Sequence, residues 1–313
     1  MHFFADSACN CGALFLHRSM PEFVHSPPNT DSPIGVFDSG YGGLSVLREL
    51  RTRLPRENFL YLGDSGRAPY GGRDLETVLD FAEQCVDLLF AEGCRVVIVA
   101  CHTVSCVALR HLQQRGAGLG RRILGVTIPA AENAVATTRG HIGFLGTRRT
   151  VASHTFRTEV AKLDPRARVT EVAAPLLAPI VEEGWEDGEI ARIAVERYLA
   201  ELGEVDTLVL GCTHYPLLRK VFEQVLPAKV HLLDPAPFVA DRLVDWLQRH
   251  PEFRSENPTG KLRVLSSGDT IRFARNAARF LGAEPPAIEH VAERGGRLVF
   301  SLEGSEPVGQ FVR

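Results

Sequence analysis

Two short runs, Val96-Val97-Ile98-Val99 and Thr207-Leu208-Val209-Leu210, constrain the fold more than any other feature, because both are almost unbrokenly apolar and each leads into a cysteine. A strand with one wet face alternates polar and apolar residues. A continuous β-branched run instead predicts a strand covered on both faces, as in a parallel sheet flanked by helices. Ala100-Cys101-His102-Thr103 follows the first run and Gly211-Cys212-Thr213-His214-Tyr215-Pro216 the second. Both thiols are therefore expected at strand carboxyl ends, where the loops of a parallel α/β sheet open a ligand crevice beside helix N-termini.

The rest of the chain supplies the partners such strands need. Ile34-Gly35-Val36-Phe37 reads as a strand running into Asp38-Ser39-Gly40-Tyr41-Gly42-Gly43 and then a helix with apolar residues at 44, 47 and 50. That loop can present N–H groups to an anion, but it lacks the lysine and hydroxyl of a P-loop and does not match G-x-G-x-x-G. Phe59-Leu60-Tyr61-Leu62 predicts a second strand, ending in Gly63-Asp64 and the turn Pro69-Tyr70-Gly71. A helix over 74–92, the Cys101 strand, a helix to about 114 and a strand from Ile123 to Ile128 follow. At His141–Gly146 the pattern restarts, with Gly146-Thr147 where the first half has Asp38-Ser39. Asp38 and Cys101 are 63 positions apart, and Thr147 and Cys212 are 65 apart. This reads as a duplication whose halves face one another, with Cys101 and Cys212 on opposite walls of one cleft. Beyond it the sequence predicts a helix from Phe238 to about His250, a strand at Leu262–Ser266, a helix over 270–281 and an edge strand at Arg297–Leu302.

A length of 313 residues, 45% hydrophobic and 23% charged, suits two globular domains. With a net charge of −3 and scattered arginines there is no electrostatic footprint for nucleic acid or anionic membrane. No apolar run reaches the roughly 18–20 residues of a spanning helix. The odd count of seven cysteines fits a reducing, cytoplasmic setting better than a disulfide framework. Residues 1–33, with the turn-rich Ser26–Pro33, read as a loosely ordered extension in which Met20 is a candidate start. Cys9 and Cys11 form a C-x-C without a companion pair and read as free thiols, so no metal site is expected.

A thiolate is a soft base, with an ordinary pKa of about 8.5 that neighbours can tune. Asp38 is expected to order or deprotonate Cys101, and His214 to serve Cys212. One base on each face of a substrate carbon can remove a proton from one side and return one to the other, which inverts the stereocentre. Pyridoxal chemistry would need a Schiff-base lysine. Lys162, Lys220, Lys229 and Lys261 all lie away from the strand-end motifs, so no cofactor is expected.

From Ile34 to Gly282 the chain closely resembles the glutamate racemases of the aspartate/glutamate racemase superfamily. The resemblance rests on Phe37-Asp38-Ser39-Gly40, Gly63-Asp64 through Pro69-Tyr70-Gly71, Ala100-Cys101, Gly146-Thr147, Leu210–Leu218 with its specific Gly-Cys-Thr-His-Tyr-Pro run, and Ser267-Gly268-Asp269. It implies two flavodoxin-like parallel-sheet domains related by pseudo-two-fold symmetry, with the active site in the cleft between them. The expected first domain is 34–124 plus 237–313, and the second is 125–236. It also implies glutamate as substrate, D-glutamate for peptidoglycan as product, Cys101 and Cys212 as acid/bases, Asp38 and His214 as their supports, and Glu182 as an assisting carboxylate. Ser39, Pro69, Tyr70, Gly71, Thr103 and Thr213 match substrate-holding positions. A homodimer is left open.

One departure stands out: the family usually has Cys-Asn-Thr where this chain has Cys101-His102-Thr103, and that asparagine touches the substrate. Imidazole is bulkier and titrates near neutrality, which predicts a KM that rises with pH through that range. Asp234-Pro235-Ala236, where a smaller residue than proline is more common, reads as structural. Two other readings remain. One is a related enzyme, an aspartate racemase or a maleate-isomerase-like protein in which one thiol attacks as a nucleophile. The other is a non-catalytic binding protein on the same scaffold, against which the intact Asp38, Cys101, Cys212 and His214 argue.

Overall fold

The computed structural model describes residues 32–301. The expectations for residues 1–31, with Cys9, Cys11 and Met20, and for the chain after Ser301 lie outside the described residues. The first lobe begins with strands β1 (Ile34–Asp38), β2 (Phe59–Gly63), β3 (Val96–Val99) and β4 (Arg122–Gly125). The second holds β5 (His141–Gly146), β6 (Arg168–Ala173), β7 (Thr207–Gly211) and β8 (His231–Leu233). The chain then returns to the first lobe with β9 (Leu262–Ser266), β10 (Ile288–Arg294) and β11 (Arg297–Phe300). The sheets run β11-β10-β9-β2-β1-β3-β4 and β6-β5-β7-β8. Every pairing is parallel except β10 with β11.

The order β2-β1-β3-β4 in one sheet equals β6-β5-β7-β8 in the other, so the duplication read from the spacing is a duplication of topology. In each sheet the winding reverses at one place, between β1 and β3 and between β5 and β7, which is where open parallel sheets bind ligands.

Burial follows the two-residue period of a strand. Ile34, Val36, Tyr61, Val96 and Ile98 join one apolar cluster, and Phe37, Leu60, Leu62, Val97 and Val99 join another across the sheet. Helices Leu44–Arg53, Ala236–Arg249 and Thr270–Leu281 contribute to the first cluster, while Leu75–Ala91, His102–Val107 and Leu109–Gly118 contribute to the second. Each fully buried valine or isoleucine contributes roughly 1.5–3 kcal/mol, which is why these runs are almost wholly apolar. The first cluster continues into the second lobe through Leu145, Leu208, Leu210 and Tyr215, so the lobes share core.

Three expectations need correction. The strand drawn to Ile128 ends at Gly125, and Thr127 already opens helix Thr127–Thr137. Pro129 is tolerated there because first-turn N–H groups have no helical partner to lose, and a short apolar run does not by itself tell strand from helix. The single helix drawn to about 114 is two helices meeting at Ala108. Periodicity missed the break because Val104, Ala108 and Leu112 all stay buried across it. Arg297–Phe300 is an edge strand, but its neighbour Ile288–Arg294 was not foreseen. Gly295 and Gly296, both at positive φ, turn the chain between them, the backbone geometry a tight hairpin requires.

Candidate active site

A cavity of about 230 Å³ lies between the lobes, lined from the carboxyl ends of three strands in each sheet. The loop after β1 gives Ser39, the loop after β2 gives Pro69, Tyr70 and Gly71, and the end of β3 gives Cys101, His102 and Thr103. From the other lobe come Thr147 and Arg148 after β5, Pro175, Pro179 and Glu182 after β6, and Cys212, Thr213 and His214 after β7. The two cysteines thus reach one cavity from equivalent places in duplicated sheets. Asp38 does not line it. Its carboxylate is buried behind the wall, accepting from Gly40 N–H at 3.0 Å and from the Thr213 hydroxyl at 3.4 Å, a bond that crosses between lobes.

The lobes approach closely enough to demand glycine. A Cβ on Gly42 would stand 2.3 Å from Thr213 Oγ1 and 2.7 Å from His214 Nδ1, and one on Gly71 would stand 2.6 Å from Thr147 Cβ. These residues have a packing role besides the anion-facing one the sequence suggested. Gly71 O also accepts from Arg149 N–H at 2.9 Å, which ties the Pro69–Gly71 turn to the second lobe.

Around the first thiol, Cys101 Sγ donates to Ser39 Oγ at 3.6 Å. Burial, and after it the charge of Asp38, push this thiol up to about 12, against the opposing pull of the Val104 N–H and the Ser39 hydroxyl. Burial also lifts the Asp38 carboxyl above its ordinary range, partly offset by His214 and the loop N–H groups. Asp38 therefore acts on Cys101 through its field; its own hydrogen bonds go to Gly40 and Thr213.

Around the second thiol, Cys212 Sγ and His214 Nδ1 are 3.8 Å apart, and His214 Nε2 stands 3.1 Å from Glu182 Oε1. That contact is an ion pair lying off the N–H axis, so Nε2 has no aligned hydrogen bond. Burial works against charging this imidazole, but the contacts with Cys212 and Glu182 outweigh it and raise its pKa to about 10. The raised pKa favours the imidazolium form of His214, the kind of neighbour that stabilises a thiolate.

His102 is different. It is 4% exposed, and neither ring nitrogen has a partner. Burial alone lowers its pKa to about 4, so the charge change expected near neutrality is moved out of that range. Tyr70, also named as a substrate contact, spends its hydroxyl on Asp64, which leaves its backbone and ring to shape the wall.

Thr147, Arg148 and Thr150 were not among the site residues expected from the sequence. The hydroxyls of Thr147 and Thr150 form a ring with that of the expected Thr103, 2.9–3.2 Å apart, that joins the helix after β3 to the helix after β5. Thr147 was visible as the counterpart of Ser39 in the repeat, but Thr150 carried no signal of its own. Arg148 brings a cation to the cavity edge.

Two thiols that reach one cavity from opposite lobes, each near an acid–base group of its own lobe and at paired switch points of duplicated parallel sheets, form an arrangement suited to moving protons at a carbon centre. Comparison with known proteins gives the same class. The Asp/Glu/Hydantoin racemase family model matches residues 34–243. A glutamate racemase of Syntrophus aciditrophicus is 38% identical over 262 residues, spanning 83% of this chain and 96% of that protein. A glutamate racemase structure from Bacillus anthracis superposes with a TM-score of 0.79 at 34% identity, covering 86% of this chain and 100% of the other. A Francisella tularensis glutamate racemase solved in complex with D-glutamate gives 0.78 at 28% identity, covering 84% and 98%. The chain belongs to the Asp/Glu/Hydantoin racemase family, and to the glutamate racemases within it.

Proposed function

We propose that this protein interconverts L- and D-glutamate by two-base proton transfer between Cys101 and Cys212, with D-glutamate destined for peptidoglycan precursors. The observation that carries the reading is the convergence of both thiols on one cavity from opposite lobes. One sulfur, as thiolate, takes the α-proton, and the other, as thiol, protonates the opposite face of the planar carbanion. The pair must therefore begin a turnover with one proton between them. The His214 imidazolium beside Cys212, and the elevated thiol of Cys101 beside Asp38, suit that starting state. The buried, hydroxyl-rich wall supplies donors for carboxylates, and Arg148 adds positive charge for a dicarboxylate. Among the described residues lining the cavity there is no lysine, in keeping with chemistry that needs no Schiff base.

The test is incubation of the purified protein with L- or D-glutamate in deuterium oxide, followed by chiral separation and mass measurement. Each enantiomer should give the other with deuterium at the α-carbon. Conversion that stops on adding a carbonyl-trapping reagent would point to a pyridoxal mechanism and refute the two-thiol one.

A further inference from the structure

Helix Thr270–Leu281 belongs to the first lobe, where it packs on helix Leu44–Arg53 and β10, yet its last turn reaches across the cleft. Arg279 Nη2 donates to Val181 O at 2.8 Å and to the Glu186 carboxylate, while Nη1 donates to Asn276 Oδ1 at 3.2 Å on its own helix. Val181 immediately precedes Glu182, the carboxylate 3.1 Å from His214 Nε2. The next residue of the same helix, Phe280, sets its ring edge-on to the His214 imidazole, with centroids 5.2 Å apart. Glu182 ends a helix of six residues, and Gly184 two positions on has positive φ, so its own element holds it weakly.

We propose that Arg279 is a positioning residue for the second thiol: by gripping Val181 O and the Glu186 carboxylate from the opposite lobe, it fixes where Glu182 stands against His214. This rests on the reading of Cys212 and His214 as an acid–base pair. The guanidinium suits the task because its planar fork serves a carbonyl and a carboxylate at once. Glu186 keeps one oxygen buried without a partner, so Arg279 is also what makes that carboxylate tolerable. The groups facing His214 are Cys212 on its own loop, Glu182 from the helix before Arg279's grip, Asp38 behind β1 and the Tyr41 ring 6.3 Å away. Of these, Glu182 is the one that Arg279 can move.

The experiment is a pH titration of the full-length protein labelled with 13C in its histidine rings, with the His214 signal assigned from a His214→Gln variant. Arg279→Ala should lower the His214 pKa by about one unit or more, and cut kcat about tenfold with KM changed less than about threefold. Arg279→Lys, which keeps a donor for Val181 O, should recover part of both. Should Arg279→Ala fail to fold, Glu186→Gln is read in its place and should give a smaller shift in the same direction. A His214 signal that titrates as in the wild type in the folded variants overturns the proposal, even if melting temperature or turnover falls. Because the titration needs no turnover, its outcome is separate from whether the protein racemises glutamate.

Discussion

His102 and His214 sit in one cavity, and their surroundings drive them in opposite directions. For His102, with a folded pKa near 4 against an ordinary 6.5, the unfolded chain binds more protons between those values, so stability falls as pH drops through that window. The full effect is about 3 kcal/mol. His214, raised to about 10, has the reverse sign: its contribution is complete below 6.5 and is lost as pH climbs toward 10. Urea unfolding between pH 4 and 7 should show a His102→Asn variant losing less stability on acidification than the wild type. KM for glutamate should be as flat from pH 6 to 9 in the wild type as in that variant. A wild-type KM that rises across that range while the variant stays flat would restore the charged role for His102. The thiols belong to the same scale. Cys101→Ala and Cys212→Ala should each reduce racemisation by 10²-fold or more, measured by circular dichroism in both directions, since each direction needs both an acid and a base. Near-native turnover in either variant would exclude the two-base reading.

Loops between elements do most to bring the lobes into register. The glycine turn after β1 and the Pro69–Gly71 turn after β2 both touch the second lobe at distances that leave no room for a side chain. Gly42→Ala should press on Thr213 and His214, lowering kcat tenfold or more at a stability cost of about 1–3 kcal/mol. Gly71→Ala should raise KM more than it lowers kcat, because it pushes a cavity-lining turn away from Thr147 and leaves the thiols alone. Steady-state kinetics on both variants separates the two effects, and equal changes in KM and kcat for both would show that the turns are mere spacers. At this scale much was legible in the chain. Continuous apolar runs marked the buried strands, and the helix expected over 270–281 is present, capped by Asp269 and ended by Gly282 at positive φ. The misreadings fell on the Ile123–Ile128 run and the Ala108 break, where strand and helix bury similar residues and local pattern does not decide.

The whole molecule is two versions of one topology, with the first lobe extended by three strands. Val291 of β10 is fully buried and Leu298 of β11 is 5% exposed, both in the core cluster behind β2 and β3. Val291→Ala should therefore cost about 2 kcal/mol by urea unfolding, while KM and kcat stay near wild type because the hairpin lies at the far edge from β1 and β3. A loss of activity at full stability would mean instead that the hairpin communicates with the cleft. Among the described residues no helix is long and apolar enough to cross a membrane. By itself the sequence determined the parallel sheets, the repeat and the two strand-end thiols, because strand burial and strand-end chemistry are written in residues adjacent along the chain. It also named Asp38, His214 and, through family resemblance, Glu182. Only the tertiary structure decided that Asp38 lies behind the cavity wall, that the threonine ring spans the lobes, that His102 is neutral and that Arg279 reaches Val181. Each of these depends on which groups meet across the cleft and on how much water the meeting excludes, quantities that no stretch of sequence carries alone.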